Sequence, residues 1–143
     1  MSTRPITPGG RGFEVHWQDR RALDRLARRY AMLRAGATMT RERPERWEGA
    51  CQRCSRTRPL SWCHIFTRGA WSVRWDLENS WAWCKGCHRY LDQHWEEKFE
   101  WIVRRIGPER FALLKLRKQP GRSIDYAGMR LFLEQQVRKL EAA

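Results

Sequence analysis

Four of the five cysteines in this 143-residue chain form two C-x-x-C pairs, Cys51 with Cys54 and Cys84 with Cys87. Each pair can present two thiolates to one ion, so the four together predict a tetrahedral structural zinc site. The 29 residues between the pairs exceed the spacing of a simple zinc ribbon and predict a hairpin-sized insertion. A redox-active C-x-x-C pair is the alternative, but it does not explain a second pair. An odd cysteine count with two such pairs favours metal binding in a reducing cytoplasm over a secreted disulfide scaffold.

A second set of chemically capable residues lies inside this insertion and just after it. His88 and Asp92 are four residues apart on a predicted helix, where they share one face and can hold one divalent ion. His64, on a predicted strand, is the candidate base that takes a proton from water in phosphodiester hydrolysis. Asn79 can hold the hairpin loop or the His64 ring in place, because its amide both donates and accepts hydrogen bonds. The spacing alone leaves a structural role for His64 equally open.

The charge of the chain indicates the class of partner. Its 29 Lys and Arg against 16 Asp and Glu give a formal net charge of +13, and 24 of the basic residues are arginine. This excess favours a polyanion such as nucleic acid, and the planar guanidinium suits phosphate groups. Arginine bias from a GC-rich genome, or an ion-pair-rich heat-stable protein, is the alternative explanation. No apolar stretch is long enough to cross a bilayer, so no membrane association is expected.

The spacing of apolar residues predicts the elements that position these side chains. Helices are predicted over about 18–35, 86–107 and 125–141, with a short helix over 108–118. Strands are predicted over 60–66 and 80–83 with a long connection over 67–77, while 36–50 are predicted as a polar connection and 1–16 as a loose arm. The chain thus divides into a basic N-terminal arm and helix (1–50), a four-cysteine core (51–107) and C-terminal helices (108–143). The predicted fold class is small α+β.

A C-x-x-C pair, then Cys63-His64-Ile65, then Asn79, then a C-x-x-C pair followed by His88 form a series that resembles the HNH (ββα-metal) nuclease family. More narrowly, CHIFTRG at 63–69, RWDLEN at 74–79 and YLDQHWEEKFEWIVRRIG at 90–107 are similar to the NinG (Rap) recombination proteins of lambda-like phages. The resemblance covers about residues 51–118, roughly half the chain. It implies a zinc-stapled hairpin and helix, a divalent catalytic ion, and endonuclease action on branched recombination intermediates such as Holliday junctions. It also implies catalytic roles for His64, Asn79 and His88.

Two residues near the predicted site have more than one interpretation. Cys63 directly precedes His64, where NinG-like proteins tend to have a small residue and other HNH proteins often have an acidic or histidine ligand. It is either a ligand suited to zinc or another soft ion, or a buried small apolar residue. His94 either replaces Asp92 as a ligand, contacts phosphate or lies on the surface. His88 stands where NinG-like proteins tend to have Asn and the wider HNH family has His.

The residues expected to bind nucleic acid lie in three segments. Arg68 and Arg74 lie on either side of Trp71 in the hairpin connection and are expected to contact phosphate. Trp71, in the same connection, is expected either to stack on an unpaired base at a branch point or to pack in the core. Further phosphate contacts are expected from the first predicted helix and from the segment before the last one: Arg25, Arg28, Arg29, Lys115 and Lys118.

These observations predict a metal-dependent DNA endonuclease with a structural Zn²⁺ and a catalytic Mg²⁺ or Mn²⁺, or a catalytic Zn²⁺. A four-way junction needs two active sites, so a homodimer is expected. The last helix, apolar at 126, 129, 133, 137 and 140, either supplies its interface or packs within one chain. The resemblance implies the cytoplasm of a phage-infected or prophage-bearing bacterium. The alternatives are a non-catalytic zinc-stabilised nucleic-acid-binding module and an HNH enzyme that nicks or restricts duplex DNA.

Overall fold

A four-stranded antiparallel sheet and five helices make up the computed structural model, which describes residues 11–119 and 123–143, with side chains described from residue 19 onward. The strands lie in the order β1-β2-β3-β4. The elements in chain order are α1 (Arg11–Arg34), β1 (Thr38–Glu42), β2 (Glu45–Ala50), β3 (Thr57–His64), β4 (Ser80–Cys84), α2 (Lys85–Gln93), α3 (Trp95–Ile106), α4 (Pro108–Arg117) and α5 (Tyr126–Ala142). The predicted α+β class is confirmed.

The hairpin of β3 and β4 carries the predicted base at the end where the long connection joins the two strands. His64 lies opposite Ser80, and Leu60 lies opposite Cys84 at the other end of the ladder. All five residues of β4 are buried. Alternating tryptophans hold it there, because Trp81 and Trp83 both pack edge-on against Trp101 of α3, with ring centroids 5.2 and 5.1 Å apart. The two strands predicted on either side of the long connection are therefore confirmed.

The helices begin and end where local chemistry allows. α1 ends before Gly36, whose φ of +73° is a conformation that suits glycine. α4 begins with Pro108, which needs no hydrogen-bond partner for its nitrogen at a first helical position. The single helix predicted over 86–107 is wrong, because the chain leaves helical geometry at His94 and divides into α2 and α3. The prediction of a loose arm over 1–16 is also wrong for residues 11–16, which belong to α1. The rest of that predicted arm, residues 1–10, lies outside the part of the chain that the structure describes.

Residues 36–50 are not the polar connection that the sequence predicts. They form β1 and β2, which extend the hairpin into a four-stranded sheet. The anchor is Trp47, which is buried opposite Leu60 of β3. β1 is short and charged, as edge strands often are, and this composition conceals it from pattern analysis. The predicted boundary at residue 50 therefore falls inside one sheet.

The apolar stripe of α5 packs against α1 within the chain. Leu133 and Val137 are buried, and Tyr126 and Met129 pack against the same core. This is the second of the two roles that the sequence left open for the last helix, so the stripe does not supply a dimer surface. The homodimer itself stays a prediction. Within the described residues, no helix combines the length and apolar content that spanning a membrane requires.

Candidate functional site

The four paired cysteines converge on one point. Their sulfur atoms all lie within 4.8 Å of one another. Cys51 is held in a tight turn, because its carbonyl accepts from the Ser55 N–H at 2.8 Å and its N–H donates to the Arg56 carbonyl at 2.9 Å. The positive φ of Ser55, 67°, closes that turn. The cluster joins the β2–β3 connection to the β4–α2 junction and can hold a structural metal such as zinc.

Hydrogen bonds reach the sulfurs of this cluster, but the thiols differ in their ionisation, because burial raises the pKa of Cys87 to about 12. The Cys84 N–H donates to the Cys51 sulfur at 3.2 Å, and the Arg53 guanidinium donates to the Cys87 sulfur at 3.5 Å. A backbone hydrogen bond at Arg56 lowers the pKa of the exposed Cys54 thiol to about 7. Because metal binding requires the thiolate, Cys54 is ready to bind an ion near neutral pH.

His64 is a buried histidine, and one of its two ring nitrogens is hydrogen-bonded to the backbone. Its Nε2 lies 3.1 Å from the backbone carbonyl of Arg74, and its ring packs edge-on against Trp62 at 4.3 Å. A carbonyl only accepts hydrogen bonds, so Nε2 must carry a hydrogen and the neutral ring keeps its lone pair on Nδ1. Burial is the largest influence on the ring and lowers its pKa to about 4, with the charges of Arg68 and Arg74 acting in the same direction. His64 is therefore neutral at physiological pH, with Nδ1 free in its tautomer to accept a proton.

Asn79 holds the long β3–β4 connection rather than the His64 ring. Its side chain is completely buried. Its oxygen accepts from the Phe66 N–H at 2.8 Å, and its nitrogen donates to the carbonyls of Phe66 and Val73 at 3.1 and 2.9 Å. One amide thus ties the segment just after His64 to the segment just before Arg74. Of the two roles that the sequence left open for Asn79, the structure supports holding the loop.

His88 and Asp92 lie side chain to side chain on α2, with Nε2 and Oδ2 3.0 Å apart. The other oxygen of Asp92 accepts from the ammonium of Lys98 at 2.8 Å. Lys98 is only 6% exposed, which is unusual for a lysine. It is the partner that the sequence analysis missed. The sequence does contain a sign of this buried lysine, because Lys98 interrupts the apolar stripe that Leu91, Trp95 and Ile102 form at helical spacing.

The donor set of His88 and Asp92 fits a hard or borderline divalent ion. One imidazole nitrogen and one carboxylate oxygen already lie within the span of a single ion, and both side chains reach solvent. Within residues 19–119 and 123–143, the four-cysteine cluster is the only group of three or more metal-binding side chains that lie this close together. Two protein ligands suit Mg²⁺ or Mn²⁺, which retain several waters and bind substrate phosphate.

The candidate base and the candidate ion-binding pair line one groove of about 990 Å³, to which His64, His88 and Asp92 all contribute. Its charged rim is mostly positive, because four cations face a single carboxylate: Arg28, Arg68, Lys98 and Lys118 against Asp92. The tertiary fold thus brings a neutral imidazole, a possible ion-binding pair and a cationic wall into one cavity.

Of the roles predicted for them, Cys63 is a buried core residue and His94 is a surface residue. Cys63 is fully buried, and its thiol donates to the Ser61 carbonyl at 3.2 Å. Burial raises its pKa far above the ordinary value, and its sulfur is not part of the four-cysteine cluster. His94 lies on the surface at the α2–α3 break, where its Nδ1 pairs with the Tyr90 carbonyl at 2.7 Å and its ring stacks on Tyr90. Its ring is therefore directed to its own helix end rather than to Asp92.

Arg74 has a structural use instead of the predicted phosphate contact. Its guanidinium binds both oxygens of Asp24 on α1, at 2.9 and 2.8 Å. Burial raises the pKa of Asp24, but hydrogen bonds from Arg74 and Trp75 outweigh that effect and the pKa is lowered. The pair ties α1 to the connection whose carbonyl orients His64. Asp24 gave no signal in the sequence, because its partner is fifty residues away.

The other basic residues predicted to contact phosphate differ in their position and in the side chains that they contact. Lys118 and Arg68 line the groove, where Lys118 lies 4.7 Å over the Phe66 ring. Arg28 also lines it and lies 3.6 Å from Glu45. Arg29 instead pairs with Glu141 of α5 at 2.7 Å. The structure places the other two away from the groove: Arg25 on the exposed side of α1 and Lys115 beside Phe111 on α4.

The chain was compared with protein-family models, with curated proteins and with solved structures, and none of them matches it. The resemblance to HNH and NinG-like proteins therefore rests on the motifs, and the function must be argued from the groove.

Proposed function

We propose that the protein is a metal-dependent DNA endonuclease of the HNH type. The observation that carries the proposal is the juxtaposition in one cationic groove of His64, which has a fixed tautomer, with the His88–Asp92 pair. An enzyme that hydrolyses a phosphodiester needs a base for water, charge to stabilise the phosphate, and a rigid frame. The base and the charge have residues in the groove, and the frame is supplied by residues outside its lining, in the β3–β4 connection and on α1.

His64 is proposed to act as the general base. With Nε2 donating to the Arg74 carbonyl, the Nδ1 lone pair is free in this tautomer to take a proton from the attacking water. The oxygen of that water then bonds to phosphorus as the bond to the leaving oxygen breaks. The carbonyl also stabilises the imidazolium that forms, since its hydrogen bond favours the protonated ring.

His88 and Asp92 are proposed to hold the catalytic divalent ion. When bound, such an ion polarises the phosphoryl oxygens and stabilises the charge that develops on the leaving oxygen. Lys98 holds one oxygen of Asp92 and leaves the other directed towards His88. Lys98 therefore positions the carboxylate and adds positive charge to the wall that phosphate approaches.

The frame of the site is the Asn79 amide and the Asp24–Arg74 pair. Asn79 fixes the loop at Phe66 and Val73, and the ion pair fixes the residue whose carbonyl holds His64. A base orients water effectively only when its own ring cannot rotate. Both groups are thus positioning residues and do not need to touch DNA.

The resemblance to NinG-like proteins supports a branched substrate such as a four-way junction. Two alternatives keep the same zinc site and charge. A non-catalytic nucleic-acid-binding module needs neither His64 nor the metal pair. The observation that favours it is that Asp92 is already bound by His88 and Lys98. A nicking or restriction enzyme needs the same catalytic residues but cuts a fixed sequence in linear duplex.

The test is cleavage of a labelled four-way junction and a matched linear duplex, with added Mg²⁺ or Mn²⁺ and without added divalent ion. The variants are His64→Ala and His94→Ala. His94 is the matched control, because it also pairs a ring nitrogen with a backbone carbonyl but lies on the surface. Loss of the His64 base is expected to slow cutting by about 10²–10⁴-fold, with zinc content and DNA binding unchanged, while His94→Ala cuts normally.

Each outcome identifies one function. Paired symmetric cuts in the junction support the junction enzyme, and cuts at one duplex sequence support the nicking or restriction enzyme. Binding without cutting under all metal conditions supports the non-catalytic module and contradicts the proposal. Binding to either DNA should weaken by orders of magnitude between about 50 and 200 mM salt, because phosphate contacts release counterions.

A further inference from the structure

Trp95 is an exposed aromatic residue on the wall of the proposed catalytic groove. It opens α3 and lines the same groove as His64 and His88. Its side chain is 61% exposed, which is far from the burial usual for tryptophan. Phe99 packs edge-on against the ring, with centroids 5.8 Å apart. A ring in this position presents a flat apolar surface to whatever enters the groove.

The surroundings of Trp95 combine aromatic rings with cations. Trp62, Phe66 and Phe99 also line the groove. Arg68 lies 5.1 Å over the Trp62 ring, and Lys118 lies over that of Phe66. Basic side chains that follow a phosphate backbone, next to a ring that can stack on a base, are the combination that single-strand-binding proteins use.

Trp71, which the sequence favours for base stacking, is differently placed. The guanidinium groups of Arg20 and Arg74 lie 4.3 and 4.7 Å from its ring centroid, and Trp75 packs beside it at 5.9 Å. Its ring is therefore already in contact with cations from α1 and from the β3–β4 connection. It does not line the groove that holds His64.

We propose that Trp95 forms a subsite for an unpaired nucleobase of the DNA strand that enters the groove. Paired bases inside a duplex are stacked on each other, and inserting a side chain between them costs unstacking energy, so a tryptophan side chain stacks preferentially on a base that is already unpaired. A strand with unpaired nucleotides, as at a branch point, flap or gap, provides such a base. This inference rests on the proposed function, and it narrows the substrate to DNA with unpaired bases beside the bond that is cut.

The test measures binding without added divalent ion, so that no cutting occurs. The probes are a fully paired duplex and the same duplex with a three-nucleotide gap, each with 2-aminopurine at the position that the gap unpairs. The variants are Trp95→Ala, Trp95→Phe and, as a matched control, Phe132→Ala. Phe132 is also an exposed aromatic residue, but it lies on α5 and does not line this groove.

The wild type is expected to quench 2-aminopurine in the gapped DNA and to bind it more tightly than duplex. Trp95→Ala should weaken gapped-DNA binding by about 5- to 100-fold and remove the quenching, with duplex binding changed less than about twofold. Trp95→Phe should retain part of both effects, and Phe132→Ala should match the wild type.

Two results would overturn the subsite: equal weakening on both DNAs by Trp95→Ala, or unchanged binding of the gapped DNA by that variant. These results are distinct from failure of the proposed function. Quenching that depends on Trp95, in a protein that never cuts with any metal, supports the subsite and contradicts the nuclease. Metal-dependent cutting with no Trp95 effect contradicts the subsite alone.

Discussion

The ionisation of His64 allows a direct test of its buried environment. In an unfolded chain the ring titrates near pH 6.5, whereas burial lowers its pKa in the folded protein to about 4. Above pH 6.5 the ring is neutral in both states, and it makes no contribution to pH dependence. As the pH falls from 6.5 towards 4, the unfolded chain takes up a proton that the folded chain does not. The free energy of unfolding therefore decreases through this window.

The magnitude follows from the two pKa values. The difference between 6.5 and about 4 corresponds to roughly 3 kcal/mol, at about 1.4 kcal/mol for each pH unit. This is an upper limit, because the ring is not completely enclosed and can gain solvent as it becomes charged. A loss of about 2 kcal/mol between pH 7 and pH 4.5 is therefore expected from His64 alone.

The assay compares urea unfolding of the wild type and His64→Gln from pH 8 to pH 4.5. Glutamine keeps an N–H that can donate to the Arg74 carbonyl, but it does not titrate. The cysteine thiolates add acid sensitivity to both proteins, so their contribution cancels in the difference. The wild type should lose about 2 kcal/mol more than the variant as the pH falls.

Parallel stability curves for the two proteins would refute this reasoning. A folded-state NMR titration of the His64 ring with a midpoint near 6.5 would do the same, because it would place the ring in solvent. Either result would remove the fixed tautomer on which the role of general base depends.

Three further predictions concern the groups around the site. Metal analysis of purified protein should find one zinc per chain, and Cys54→Ser should lower both the zinc content and the melting temperature; unchanged zinc in that variant would argue against the four-cysteine site. Asn79→Ala should destabilise the protein by about 2–4 kcal/mol in urea unfolding, because both backbone groups of Phe66 lose their partner and the Val73 carbonyl keeps only the Asp76 N–H. A change below about 0.5 kcal/mol would mean that the loop does not depend on the Asn79 amide. Lys98→Met should raise Mn²⁺ affinity about fivefold in calorimetric titration, since one cation no longer competes for Asp92, while cleavage slows; weaker Mn²⁺ binding would contradict the assigned ion pair.

The sequence by itself indicated the chemistry through spacing along the chain. Two C-x-x-C pairs predict one four-sulfur cluster, and the structure brings those four sulfurs together. The four-residue step from His88 to Asp92 predicts a shared helix face, and the two side chains meet there. These predictions depend on local geometry, since helix pitch and tight turns are fixed within a few residues.

Other features were decided only by the tertiary structure. The partner of Arg74 is Asp24 on α1, and the partner that holds Asp92 is Lys98 on the next helix. Position likewise distinguishes Trp95, which lines the groove, from Trp71, which does not line it and whose ring is in contact with two arginines. β1 was missed because an edge strand shows little periodicity of its own and forms by pairing with β2. Which charge is buried, which ring stays open and which tautomer a histidine adopts all depend on atoms distant in sequence, so they are determined only when the chain has packed.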